Sequence, residues 1–256
     1  MMRMIEIRKF FECIIYPLFP KICFSCKKPL EYNINSIFCE NCFTKIKFIE
    51  RLVCQKCGLP LPDGGAHCYN CKTKDKKRKW WLEYIRSSVE YREPIRTLIH
   101  QIKYNNKTYL CNFFASLLEK NFHKLFNKER IDIICTVPLN WVKKLYREYN
   151  QVELIAKKFV KKLSYHNDYN NIFFIPQLIE RTKNTISQFK LSREERLKNV
   201  RNVFKIRNNL IDIIKNKNIL IIDDICTTGE TLNQCAKVLI KAGANKVFGY
   251  TIARDI

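Results

Sequence analysis

Four Cys-x-x-Cys pairs confine the front of this 256-residue chain to one kind of structure. Cys23-x-x-Cys26 is followed after twelve residues by Cys39-x-x-Cys42, and Cys54-x-x-Cys57 after ten by Cys68-x-x-Cys71. A Cys-x-x-Cys knuckle turns two thiolates toward one ion, and two knuckles complete the tetrahedral sulfur set of a structural zinc site. Residues 23–71 carry too little apolar sequence for a conventional core, so metal binding has to supply folding energy there. Two structural zinc ions are expected, on Cys23, Cys26, Cys39, Cys42, Cys54, Cys57, Cys68 and Cys71. Sequential pairing, one ion per half, and a crossed arrangement fit the same counts. His67 abuts Cys68 and is either a substitute ligand or an exposed loop histidine. A redox dithiol of thioredoxin type needs one pair beside a βαβ pattern, which four pairs in a loop-rich segment do not offer. Gly58, just after a knuckle, gives the backbone room to turn.

The cysteines number 13, which excludes a complete intramolecular disulfide framework and points to a reducing compartment. No apolar stretch approaches the length of a membrane span. The nearest, Phe10 to Pro20, contains Glu12 and two prolines and lacks a small-residue cleavage site. A cytoplasmic protein without a transmembrane segment is expected. The charge balance, 47 − 24 = +23, favours phosphates, nucleic acid or another polyanion as partners. An apolar fraction of 46% excludes wholesale disorder.

Two units are expected. Residues 1–79 comprise an apolar leader, the double zinc module and a basic linker over 72–79. Residues 80–256 begin at Trp80-Trp81, where strand and helix signals start to alternate. Ile131 to Val137 reads as a buried strand stopped by Pro138, and Ile219 to Ile222 as a fully apolar central strand. Val247 to Ile252 reads as a third strand. Val152, Ile155, Ala156, Phe159, Val160 and Leu163 recur at helical spacing. So do Leu232, Cys235, Ala236, Leu239 and Ala242, ahead of a C-cap at Gly243. Strands separated by helices predict an α/β fold, an open and mostly parallel sheet flanked by helices.

The run Ile219 to Thr231 carries the chemistry. Four apolar residues deliver Asp223 and Asp224 to the carboxyl end of a buried strand, where open α/β sheets bind ligands. Adjacent carboxylates there offer acceptors to the 2′ and 3′ hydroxyls of a ribose. Thr227, Thr228, Gly229, Glu230 and Thr231 then present backbone N–H groups and hydroxyls at a helix N-terminus, a cradle for phosphate. Together these describe a site for a ribose 5-phosphate. Thr227-x-x-Glu230 also fits a capping box, which would use the amides locally.

This stretch resembles the 5-phosphoribosyl-1-pyrophosphate (PRPP) motif of type I phosphoribosyltransferases. From Pro17 onward the chain resembles the ComF family of competence proteins, which join a double zinc ribbon to such a domain. The resemblance takes in Lys103-Tyr104 after a helix, Val137-Pro138-Leu139, and Arg147 to Gln151 before a helix. It also takes in Arg181 to Gln188 and Arg196 to Val200. Glu148 departs from the pattern, since the family usually has glycine there. The resemblance implies a phosphoribosyltransferase binding PRPP with Mg²⁺. Asp223 and Asp224 hold the ribose hydroxyls and Thr227 to Thr231 the 5′-phosphate. Pro138 and Leu139 face the pyrophosphate, with Arg147, Lys103 or Arg181 neutralising charge. The segment 181–188 closes over the site. The biological setting it implies is natural competence and DNA uptake, with DNA-uptake proteins as partners. The chain begins Met1-Met2-Arg3 with no glutaminase domain, so glutamine amidotransferase activity is not expected.

A second reading is a non-catalytic factor that handles single-stranded DNA and keeps the phosphoribosyl pocket as a ligand site. Its support is the charge, together with Lys72, Lys74, Lys76, Lys77, Arg78 and Lys79 ahead of Trp80-Trp81, cations for a backbone and rings for bases. A solvated linker followed by anchoring tryptophans fits the same residues.

Overall fold

The computed structural model describes residues 20–30, 36–50, 52–73, 79–139, 149–182 and 203–256. The leader up to residue 19, Arg147, Glu148, the linker residues 74–78 and the segment 183–202 lie outside them.

The sheet is built on β6 (Asn218–Cys226) and β7 (Lys246–Arg254), paired in parallel over most of their length. β1 (Ile85–Glu90) lies beyond β7, and β2 (Ile133–Thr136) and the short β3 (Phe173–Phe174) lie beyond β6. The order is β1-β7-β6-β2-β3 and every pairing is parallel, so the expected mostly parallel sheet is wholly so. A separate antiparallel pair joins β4 (Ile179–Arg181) to β5 (Phe204–Ile206).

Side chains alternate across the sheet and build two cores. Leu220 and Ile222 of β6 face one side with α1 (Ile95–Tyr104), α2 (Cys111–Phe126) and α3 (Gln151–Leu163). Ile219, Ile221 and Cys226 face the other side with α4 (Glu230–Lys241). Phe122, Phe126, Phe159 and Tyr250 meet edge-on or stacked in the first core. There the buried Tyr250 hydroxyl donates to the Leu118 carbonyl at 2.8 Å, so its one polar atom is satisfied.

The boundaries differ from the sequence reading in instructive ways. β2 is trimmed to Ile133–Thr136, its last ladder bond running from the Val137 amide to the Ile222 carbonyl at 3.0 Å, just before Pro138, which has no amide to continue it. β6 runs past the aspartates to Cys226, held there by pairing with β7 through Arg254. α4 opens at Glu230 rather than Leu232, and Gly229 is its N-cap at φ 72° with no side-chain cap. The capping box is therefore not formed: Glu230 is the first helical residue, not the third. Lys103 sits in the last turn of α1 rather than after it. Gly243, at φ 100°, follows the last turn of α4 as expected.

The two cysteine halves repeat one local design. In each, the first knuckle closes with an antiparallel bridge, Ile22 to Pro29 and Val53 to Pro60. The second knuckle opens a helical turn, Glu40–Phe43 and Tyr69–Thr73. The residue after the first knuckle has positive φ in both, Lys27 at 62° and Gly58 at 68°. The first half packs into the sheet domain's own core: Leu30, Phe38 and Ile46 are buried with Phe114 and Leu118 of α2. The second half docks on β1. The Ile85 amide donates to the Lys56 carbonyl at 2.8 Å, and a Cβ added at Gly58 would lie 2.4 Å from the Ile85 carbonyl oxygen.

These contacts separate two equivalent positions. Gly58→Ala combines left-handed strain with a clash against backbone that cannot yield, and is expected to cost at least about 1–2 kcal/mol. Lys27→Gly is expected to be close to neutral. Urea unfolding of both variants checks the difference. Phe122→Ala, at the centre of the aromatic core, is expected to cost about 3–5 kcal/mol in the same measurement.

Candidate functional site

Two kinds of site emerge, a pair of thiol tetrads and a polar cluster at the carboxyl ends of the parallel strands.

Cys23, Cys26, Cys39 and Cys42 bring their sulfurs within 4.8 Å of one another, and so do Cys54, Cys57, Cys68 and Cys71. Pairing is thus sequential, one tetrad per half, and His67 belongs to neither. The Cys26–Cys39 and Cys57–Cys68 sulfurs are each 3.7 Å apart. Zn–S bonds of about 2.3 Å in a tetrahedron place the sulfurs about 3.8 Å apart, so both sets fit zinc. The thiols also share protons in the way that a cation would replace. Hydrogen bonds from Cys57 and Cys71 hold the Cys54 thiol well below the usual range, and in turn Cys54 pushes Cys57 up to about 12. In the first tetrad burial acts against Cys23, but backbone N–H groups of Cys26 and Cys39 outweigh it and bring the thiol down to about 6. Burial pushes Cys42 up to about 11.

The polar cluster begins at the end of β6. Alternation sends Asp223 and Asp224 to opposite faces, and each finds a basic side chain there. Asp224, only 9% exposed, takes a salt bridge from Lys103 Nζ at 2.7 Å and a hydrogen bond from Gln151 Nε2 at 3.0 Å. Gln151 is itself buried as the first residue of α3, whose N-cap Asn150 accepts from the Val152 amide at 3.1 Å. Tyr149 secures that entry by donating from its hydroxyl to the Ile102 carbonyl at 2.6 Å, next to Lys103. Asp223 accepts the Asp224 amide at 2.8 Å and lies close enough to Arg181 to act on its charge. Burial works against the Arg181 guanidinium and lowers its pKa, with Cys235 and Asp223 opposing that shift. Arg181 also lies over the Phe204 ring, 5.5 Å from its centroid.

After Cys226 the chain turns through Thr227 and Thr228, both half-buried, into Gly229. The Glu230 amide meets Thr228 Oγ1 at 3.3 Å, and Glu230 Oε1 accepts from Gln234 Nε2 at 2.6 Å along the helix. Among the described residues, the amides of Thr227, Thr228 and Gly229 have no hydrogen-bond partner. Thr231 follows in the first turn of α4. At Gly229 φ is 72°, and a Cβ there would lie 2.7 Å from Ile85 Cδ1 and 3.3 Å from the Trp80 ring, which favours glycine. Pro138 and Leu139 are half-buried after β2. Arg147 and the closing segment beyond Thr182 lie outside the described residues.

The sequence reading gave no role to two residues here. Gln151 gave no signal beyond its place before a helix. Arg254, 4% exposed, donates from Nη1 to the Cys226 sulfur and from Nη2 to the Cys57 sulfur at 3.7 Å, joining the turn to the second tetrad. Burial opposes its charge, but the Cys226 and Cys57 sulfurs outweigh burial and raise its pKa. Trp80 and Trp81 pack half-buried against the second core, with Trp80 also against the second tetrad and Lys79 4.0 Å above the Trp81 ring. This packing fits the reading of the two tryptophans as anchors of the domain. No helix among the described residues is long and apolar enough to cross a membrane.

Comparison with known proteins matches two domain families on this chain. Residues 14–72 match the double zinc ribbon domain family and residues 153–255 the phosphoribosyl transferase domain family. Competence protein F of Haemophilus influenzae is 30% identical over 242 residues, covering 91% of this chain and 96% of its own. The DNA utilization protein YhgH of Escherichia coli K12 is 25% identical, over 93% of this chain and 98% of its own. Competence protein ComFC of Bacillus subtilis is 27% identical, over 85% and 84%.

Elemental analysis is expected to find two zinc ions per chain and one in Cys57→Ser; two in that variant would disprove the tetrad assignment. Lys103→Met leaves the Asp224 carboxylate without its cation and is expected to cost about 1–3 kcal/mol in urea unfolding. Adding Asp224→Asn should recover part of that loss, the mark of direct coupling.

Proposed function

The chain belongs to the ComF family of competence proteins, and on that premise we propose that its α/β domain binds PRPP and transfers the phosphoribosyl group to an acceptor. The observation that carries this reading is the turn after β6. Three unpartnered amides, of Thr227, Thr228 and Gly229, lie together at the start of α4, beside the Asp223–Asp224 pair. Such a concentration of donors suits a 5′-phosphate.

The ribose hydroxyls fall to Asp223 and Asp224. Both carboxylates have basic neighbours, so ligand binding exchanges existing contacts: a hydroxyl takes an acceptor position now held by Lys103, Gln151 or Arg181. The displaced cations are then free to face the pyrophosphate as its charge grows at the breaking anomeric C–O bond, the largest contribution a protein makes to such a step. Pro138 and Leu139, half-buried after β2, are assigned to the pyrophosphate side. Mg²⁺, when bound with PRPP, neutralises pyrophosphate oxygens; Asp223 is an oxygen donor of the type it takes. The relatives' names, competence and DNA utilization, support a role in the handling of DNA taken up by the cell. The reducing chemistry of eight zinc-ligand thiols suits the cytoplasm.

Calorimetry with PRPP and Mg²⁺ is expected to show saturable one-to-one binding, weakened at least tenfold in Asp223→Asn/Asp224→Asn. Unchanged affinity in that variant would remove the site. Release of pyrophosphate on adding acceptor bases or nucleotides establishes turnover. Tight PRPP binding with no release under any acceptor would favour a ligand-responsive binding protein. In that case single-stranded DNA affinity should fall steeply with salt, as the charge requires.

A further inference from the structure

Away from both sites, α2 and the chain just after α3 bring together a third group of metal-ligating side chains. Glu119 and His123 lie one turn apart on α2, and His166 follows α3. Their donor atoms all lie within 4.8 Å of one another. His166 Nε2 is 3.0 Å from Glu119 Oε1, and the His123 and His166 rings meet at 4.7 Å between centroids. Of the chain's four histidines, two converge on this one carboxylate.

His123 gives the cluster its direction. Its Nδ1 is 3.0 Å from the Tyr169 hydroxyl, while its Nε2 is shielded from solvent and has no hydrogen-bond partner among the described residues. With Nδ1–H donating to the tyrosine oxygen, the lone pair rests on Nε2. This is the arrangement in which an outer hydrogen bond fixes the tautomer of a metal-binding histidine. Tyr169 is fixed in turn by its ring contact with Phe122, 5.2 Å between centroids. A shielded imidazole nitrogen facing a second imidazole and a carboxylate lacks a partner, and a metal ion would supply one. Hydrogen bonding within the group satisfies Glu119 and His166 but leaves His123 Nε2 unused.

We propose that Glu119, His123 and His166 form a third metal site, which takes one divalent first-row transition ion of the zinc type. Two imidazoles and one carboxylate favour Zn²⁺, Co²⁺ or Ni²⁺ over Mg²⁺ or Ca²⁺, which prefer oxygen. Three protein ligands leave a fourth position to water or an external ligand, and the side chains of His166 and Glu119 are 42% and 27% exposed, giving the ion a way in. This site differs from the thiol tetrads in chemistry and in strength of retention. It has no sulfur, it is open, and it clips the end of α3 to α2 without being needed to fold them.

The test uses the full chain carrying its two zinc ions, dialysed against a metal buffer and titrated with Co²⁺. One further equivalent is expected to bind reversibly, with visible d–d absorption and no thiolate-to-cobalt charge-transfer band. His123→Ala and His166→Ala should each abolish that equivalent while two zinc ions per chain remain. Tyr169→Phe, which keeps all three ligands, should weaken it by about 10–100-fold, and it keeps the test open should a histidine variant not fold. A stoichiometry that stays at two, a third equivalent that survives in both histidine variants, or one that brings a thiolate band would each overturn the proposal.

Discussion

A strand buried on both faces must send successive side chains to opposite sides of the sheet, and β6 obeys this rule through its charged end as through its apolar start. Ile219 and Ile221 go to one core, Leu220 and Ile222 to the other, and Asp223 and Asp224 continue the alternation. Each carboxylate therefore needs its own cation, Arg181 from the small antiparallel pair for one and Lys103 from α1 for the other. Beyond Asp224 the alternation stops, and Ile225 packs against the same core as Leu220 and Ile222. Cys226 falls on the face of α4, where Arg254 meets it, and the chain has to reverse at once through Thr227 to Gly229 to start that helix. The conformation of the turn is set from below by a strand with no freedom to shift.

The second cysteine half presses on that turn from the other direction. Gly58 lies against the Ile85 carbonyl, Ile85 and Trp80 crowd Gly229, and Arg254 spans the Cys226 and Cys57 sulfurs. The ribbon that zinc folds is thus one wall of the proposed phosphate site, and removing the ion would loosen a support of the ligand turn as well as a remote module. The first half has a different role. Its buried Leu30, Phe38 and Ile46 complete the core over α2, so neither half is an independent appendage.

Much of this was legible in the sequence because it rests on local periodicity or on spacing. Four knuckles at regular intervals pointed to the tetrads, and their sequential closure reflects the short spans between paired knuckles. Alternating apolar runs pointed to the parallel sheet, and Gly243 to the end of α4. What escaped depends on partners distant in the chain. β6 is longer than its apolar run because β7 continues to pair with it, a fact that Asp223 and Asp224 conceal by being charged. The alternative of a capping box at Thr227 fails because the helix start is a left-handed turn at φ 72°, which Gly229 takes without strain. Gln151 and Arg254 look like surface residues in so polar a chain, and only the tertiary fold shows that they are buried against Asp224 and against the Cys226 and Cys57 sulfurs.

The central claim is that the amides of Thr227, Thr228 and Gly229 await a phosphate. Amide hydrogen exchange, tracked residue by residue with and without PRPP and Mg²⁺, addresses it directly. The account predicts that exchange at those three amides slows at least tenfold on addition of ligand, with little change in the distant aromatic core. Unaltered exchange in the turn at saturating ligand, or protection confined to some other part of the chain, would contradict it.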